Sequence, residues 1–178
     1  LAERMALFRS HGMTREPAQM SRDPDGPWYY EQIELGFNYR MTELQAALGL
    51  SQTKRLHDYV RRRHELARRY NERLASPPLT TPSQHPACYS GLHLYVVRVD
   101  ATRRRAVFDA LRAQDIGVNV HYIPLHMQPY YLRLRNASGT FPEAESYYAE
   151  AISLPMFPAL IDAQQDKVVD ALRDACLA

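Results

Sequence analysis

At 178 residues the chain is long enough for one ordinary domain, or for one small domain and part of another, since domains hold about 100 to 200 residues. Hydrophobic residues at 46% and charged residues at 24% exclude wholesale disorder and fibrous repeats. A formal net charge of +2 is too even to demand a nucleic acid or an anionic membrane as partner, and the basicity is nearly all arginine, with Lys54 and Lys167 the only lysines.

LAERMALFRSHG places Leu1, Met5 and Phe8 at helical spacing and stops on His11 and Gly12. No capping residue precedes Leu1 and the chain starts without Met, so a fragment of a longer protein is expected. Met13 to Glu34 carries Pro17, Pro24, Pro27 and Gly26 without sustained period and predicts a long irregular loop ending near Trp28, Tyr29 and Tyr30. Those rings either serve a site or pin a surface loop.

In GFNYRMTELQAALGLSQ, residues 36 to 52, Thr42 and Gln45 make a capping box, and Leu44, Ala47 and Leu48 begin an apolar stripe. Leu56, Tyr59, Val60, Leu66, Ala67, Tyr70 and Leu74 keep the period until Ser76, Pro77 and Pro78, with Gly49 a possible kink. One helix over this pattern would span roughly 50 Å at about 1.5 Å per residue, which suits a connection between two domains. The run Arg61, Arg62, Arg63 points three ways around such a helix and reads as solvated.

HLYVVRVD, residues 93 to 100, predicts a strand, RRAVFDALRAQD (104 to 115) an amphipathic helix, and IGVNVHYI a second strand with Val118, Val120 and Tyr122 on its buried face. A helix near Glu143 to Ala151, the apolar run SLPMFP and a terminal helix from Asp162 to about Ala175 complete an α/β or α+β layer. Cys88 and Cys176 lack the CxxC spacing of a zinc site and form no disulfide framework, which points to a reducing cytoplasm. No apolar stretch approaches the ~20 residues that cross a bilayer.

VNVHYIPLHMQPYY, residues 118 to 131, gathers His121, Tyr122, His126, Tyr130 and Tyr131 around two prolines. Pro124 prevents one helix from presenting both histidines, no acidic residue or cysteine lies between Asp115 and Glu143, and a zinc site needs three or four ligands, so a metal site is disfavoured. Nucleophile elbows and phosphate-binding glycine fingerprints are absent from the sequence. Two readings stay open: an aromatic-rich loop lining a ligand pocket, or histidines that cap a surface turn.

The blocks GFNYRMTELQAALGLSQ, HLYVVRV, GVNVHYIPLHMQPYY and FPEAESYYAEAISLPMFP, in this order, resemble the C-terminal part of the DegT/DnrJ/EryC1/StrS family of pyridoxal-phosphate-dependent nucleotide-sugar aminotransferases. Within the family, HYIPLHMQPYY and PWYYEQIELGFNYRMTE are most similar to members acting in pseudaminic acid biosynthesis. The resemblance implies an α/β fold, the C-terminal part of a fold-type-I homodimer with a long connecting helix and a small sheet covered by helices. It divides the chain into a remnant of the large cofactor domain (1–52), a connecting helix (53–78) and a small domain (79–178). It implies pyridoxal 5'-phosphate as cofactor, and glutamate and a UDP-sugar as substrates, the amino group passing to the C4 keto carbon. Asn38, with Arg40 beside it, would reach the cofactor phosphate across the dimer, and His121, Tyr122 and His126 would line the sugar-nucleotide pocket. In the family's order the anchoring lysine lies upstream of Leu1, so this chain alone is expected to be inactive. A dehydratase of the same family, or a helical nucleic-acid or protein-binding module using the Arg-rich helix, are the alternatives.

Overall fold

The computed structural model describes residues 1–24, 26–76, 78–134 and 141–177. Pro77, read above as part of a helix stop, lies outside them. The chain divides into two compact units, Leu1–Arg55 and Leu56–Ala178.

In the first unit, helix α1 (Ala2–Arg9) ends where His11 and Gly12 both take positive φ, 61° and 70°, the left-handed geometry that closes helices. The expected irregular loop contains order: strand β1 (Met13–Thr14) pairs antiparallel with β2 (Glu31–Gln32), and a 3-10 turn spans Pro17–Gln19. Tyr29 pins this loop. Its hydroxyl donates to Glu31 at 2.8 Å and accepts from Arg22 Nε at 2.8 Å, while Glu31 also accepts from the Ser21 amide (2.7 Å) and hydroxyl (2.9 Å). These bonds, the Ser21 amide first, hold the Glu31 carboxyl below its ordinary pKa.

Helix α2 (Glu43–Thr53) starts at the capping box expected from its sequence: the Gln45 amide donates to Thr42 Oγ1, and Gln45 Oε1 accepts from the Thr42 amide at 3.0 Å. Its apolar stripe is not covered within the described residues, with Leu44 82% and Leu48 63% exposed. The single long helix expected from 42 to 74 is instead two, α2 and α3 (Leu56–Arg73). The break falls after Thr53, not at Gly49. Thr53 Oγ1 bonds back to the Gly49 carbonyl at 2.9 Å, a contact that bends helices, and Arg55 N closes a tighter turn onto Gln52 O at 3.0 Å.

The second unit has a two-stranded antiparallel sheet, β3 (Tyr95–Arg98) with β4 (Ala151–Leu154), in the register Tyr95↔Leu154, Val97↔Ile152. Helices α3, α4 (Arg104–Ala113) and α7 (Asp162–Leu177) contribute to one core with it, through Leu66, Tyr70, Val107, Leu111, Val169 and Leu172 against Val97 and Ile152. This is the small sheet covered by helices that the resemblance implied. Two short helices, α5 (Pro129–Leu134) and α6 (Pro142–Glu150), precede β4. The expected second strand at 116–123 reduces to one bridge, Asn119 with Ser153. Val118 is buried as the alternation required, but Tyr122 is 71% exposed, so the pattern ends where the chain leaves the sheet.

Arg62 corrects the reading of a solvated arginine run: it donates to the Leu160 carbonyl at 2.8 Å and pairs with Asp162. Arg69 and Arg73 likewise bind Asp166, and Arg73 also Asp170, tying α3 to α7. Lys167 donates to the Gln114 carbonyl at 2.8 Å.

Candidate functional site

The aromatic-rich segment leaves the sheet at the Asn119–Ser153 bridge, where the Ser153 amide donates to Asn119 O at 2.7 Å and the Asn119 amide to Ser153 O at 3.3 Å. Two residues on, His121 Nδ1 lies 2.8 Å from Ser153 Oγ, and its ring meets that of Tyr122 edge to face, centroids 4.5 Å apart. Ser153 is buried, so it anchors the segment from inside the core. Past Pro124 the chain forms a 3-10 turn, Leu125–Met127, in which His126 Nε2 sits 2.8 Å from Glu145 Oε1. Phe141, the residue capping α6, covers the same ring at 4.8 Å between centroids.

His121, Tyr122 and His126 are thus brought together on one segment, both imidazoles held by the block that follows. Ser153 and Glu145 are the residues the sequence reading missed. The signal was present, since both lie inside FPEAESYYAEAISLPMFP, but a bond across 19 or 32 residues has no periodicity to reveal it. Tyr122, Tyr130 and Tyr131 are exposed, the last two edge to face at 5.2 Å. Imidazole nitrogens and phenol hydroxyls on an open surface can hydrogen-bond hydroxyls and anions while ring faces give flat contact area. Among the described residues, no group of three or more His, Cys, Asp or Glu is placed to hold a metal ion.

Asn38 and Arg40 belong to the first unit, so they are described apart from the histidines. Asn38 pairs with Ser10 in an antiparallel bridge, flanked by His11 N to Phe37 O and Tyr39 N to Arg9 O, both 2.9 Å. The backbone of the GxNxR motif is therefore fixed to the end of α1 while the side chains of Asn38 and Arg40 remain exposed. Gly36 is required by close approach: a Cβ there would stand 2.3 Å from Gly12 N. An amide N–H and a guanidinium on a fixed, exposed loop form a donor set suited to a phosphate.

Residues 1–173 match the DegT/DnrJ/EryC1/StrS aminotransferase family. The chain belongs to that family. The spore coat polysaccharide biosynthesis protein SpsC of Bacillus subtilis is 39% identical over 181 residues, covering 98% of this chain and 46% of SpsC. DesV from S. venezuelae, solved in complex with a ketimine intermediate, superposes with a TM-score of 0.85 at 31% identity, covering 99% of this chain and 44% of DesV. Helicobacter pylori PseC, an aminotransferase involved in the biosynthesis of pseudoaminic acid, gives 0.84 at 29% identity, covering 98% and 46%. The chain spans about half the length of these relatives. No helix of the described residues is long and apolar enough to cross a membrane.

Proposed function

We propose that this chain is the C-terminal, substrate-gripping part of a cytoplasmic, homodimeric aminotransferase. That enzyme would move an amino group from glutamate to the C4 keto carbon of a UDP-linked deoxysugar. The specific reaction favoured is that of UDP-4-amino-4,6-dideoxy-N-acetyl-β-L-altrosamine transaminase. The observation that carries this reading is the pair of anchored imidazoles on one aromatic segment: His121 on Ser153 and His126 on Glu145. Family membership supports the reaction class, and the likeness to PseC favours the sugar.

Asn38 and Arg40 would hold the phosphate of pyridoxal 5'-phosphate, contributed to the neighbouring subunit. When bound, the cofactor supplies the carbonyl that carries the amino group between donor and sugar. His121, Tyr122 and His126 bind and orient the sugar nucleotide, which places the keto carbon without needing these residues to react. In this reading residues 1–52 complete the large domain, 53–78 connect, and 79–178 form the small domain. Neither lysine fits the anchor: Lys167 is engaged with Gln114 O, and Lys54 is exposed at the end of α2. The chain alone is therefore inactive on this reading. The commitment of Arg62, Arg69 and Arg73 to acids of α7 argues against the Arg-rich helix as a nucleic-acid surface.

The test is glutamate consumption by full-length enzyme with pyridoxal phosphate and a UDP-linked 4-keto-6-deoxysugar. Turnover that needs the keto sugar is expected, with none from the 178-residue chain. Sugar dehydration without transamination would overturn the reading in favour of a dehydratase.

A further inference from the structure

We propose that Glu145 is a positioning residue that holds His126 as its Nε2–H tautomer, so that Nδ1 accepts a hydroxyl of the sugar portion of the substrate. The inference rests on the reading of this segment as a nucleotide-sugar pocket, and it assigns Glu145 a role in that pocket.

An ionised carboxylate only accepts hydrogen bonds, so the nitrogen 2.8 Å from Glu145 Oε1 carries the proton. In a neutral ring the lone pair then sits on Nδ1. Phe141 and Glu145 both come from the start of α6, one with its ring packed at a 51° tilt to the imidazole and one bonded to Nε2, so a single short element holds the ring and its tautomer together. The start of a helix is also where a carboxylate is electrostatically favoured. Side-chain exposures of 15% for His126 and 30% for Glu145 keep water from competing fully for the bond.

A sugar O–H donor suits the Nδ1 lone pair. His121 differs, because the Ser153 hydroxyl can either donate to or accept from its ring, and this contact does not select a tautomer.

The experiment uses Glu145→Ala and Glu145→Gln in the full-length enzyme. Glu145→Ala should raise KM for the keto-sugar nucleotide about tenfold, the size of one lost hydrogen bond near 1.4 kcal/mol, while affinity for UDP alone stays unchanged. Glu145→Gln, whose amide oxygen still accepts from Nε2–H, should return KM to within about threefold of wild type. Equal losses for UDP and sugar nucleotide, or no rescue by Gln, would overturn the hydroxyl assignment. Independently, long-range proton–nitrogen NMR of the histidine-labelled enzyme should give His126 as a single Nε2–H form that becomes a tautomer mixture in Glu145→Ala. A wild-type Nδ1–H form, or a pattern unmoved by the substitution, overturns the role of Glu145 itself. Wild-type enzyme that binds no nucleotide sugar overturns the pocket and with it the hydroxyl contact, whereas the tautomer result depends on Glu145 alone.

Discussion

The imidazole of His121 meets the buried hydroxyl of Ser153 at 2.8 Å, so the exposed end of the aromatic segment is held by a side chain of β4. The backbones of Asn119 and Ser153 are already bridged, which means the hydroxyl adds orientation to a segment whose path is set. Ser153→Ala keeps the bridge and frees the ring. The expected outcome in the full-length enzyme is a rise of about three- to tenfold in KM for the sugar nucleotide, as for one hydrogen bond, with kcat changed less. Steady-state kinetics at saturating glutamate checks it, and an unchanged KM would remove His121 from the pocket.

Gly36→Ala tests the fixing of the GxNxR motif. A methyl group 2.3 Å from the Gly12 backbone cannot be accommodated by rotating a side chain, so the 36–40 segment must separate from the end of α1. Pyridoxal-phosphate affinity in the full-length enzyme should fall at least as far as in Asn38→Ala, because both donors lose their register together. Equilibrium titration of the cofactor measures it; Gly36→Ala with unaltered affinity would separate the motif from the phosphate.

What was legible in the sequence follows the range of the interaction. The Thr42–Gln45 box is a bond between residues three apart, and it is present as expected. The β-branched and aromatic content of HLYVVRVD is local, and it located strand β3. The break after Thr53 escaped because a hydroxyl that bends a helix leaves the apolar period on either side intact. Arg62 escaped because its acceptor is the Leu160 carbonyl, 98 residues away, and charge patterning carries no information on such a partner. At the site the histidines were legible by composition, while their partners Glu145 and Ser153, 19 and 32 residues away, became visible only in the fold.

The two thiols should differ sharply in reactivity. Cys88 is exposed, whereas Cys176 is buried against the core and burial pushes its thiol pKa up, which disfavours the reactive thiolate. Titration of the native chain with a thiol-specific chromogen should release one equivalent quickly, and the second only in denaturant. Two rapid equivalents would mean that the end of α7 opens readily.

The ties between α3 and α7 predict an acid limit. Asp166 accepts from Arg69 at 2.5 Å and from Arg73, and the Arg69 hydrogen bond is the largest cause holding its carboxyl below the ordinary aspartate value. A carboxyl whose folded pKa is lowered adds stability that is fully present above its unfolded value, near about 4, and is lost as pH falls toward the lowered folded value. Asp162 and Asp170 face the same helix through Arg62 and Arg73. Asp166→Asn removes this one titration while keeping shape. Its melting temperature should lie below that of wild type at neutral pH, and the gap should close as both are taken below about pH 4, where wild type loses the same interaction. Parallel thermal melts from neutral to acid pH decide it: a gap independent of pH would show that the ion pair contributes nothing to folding.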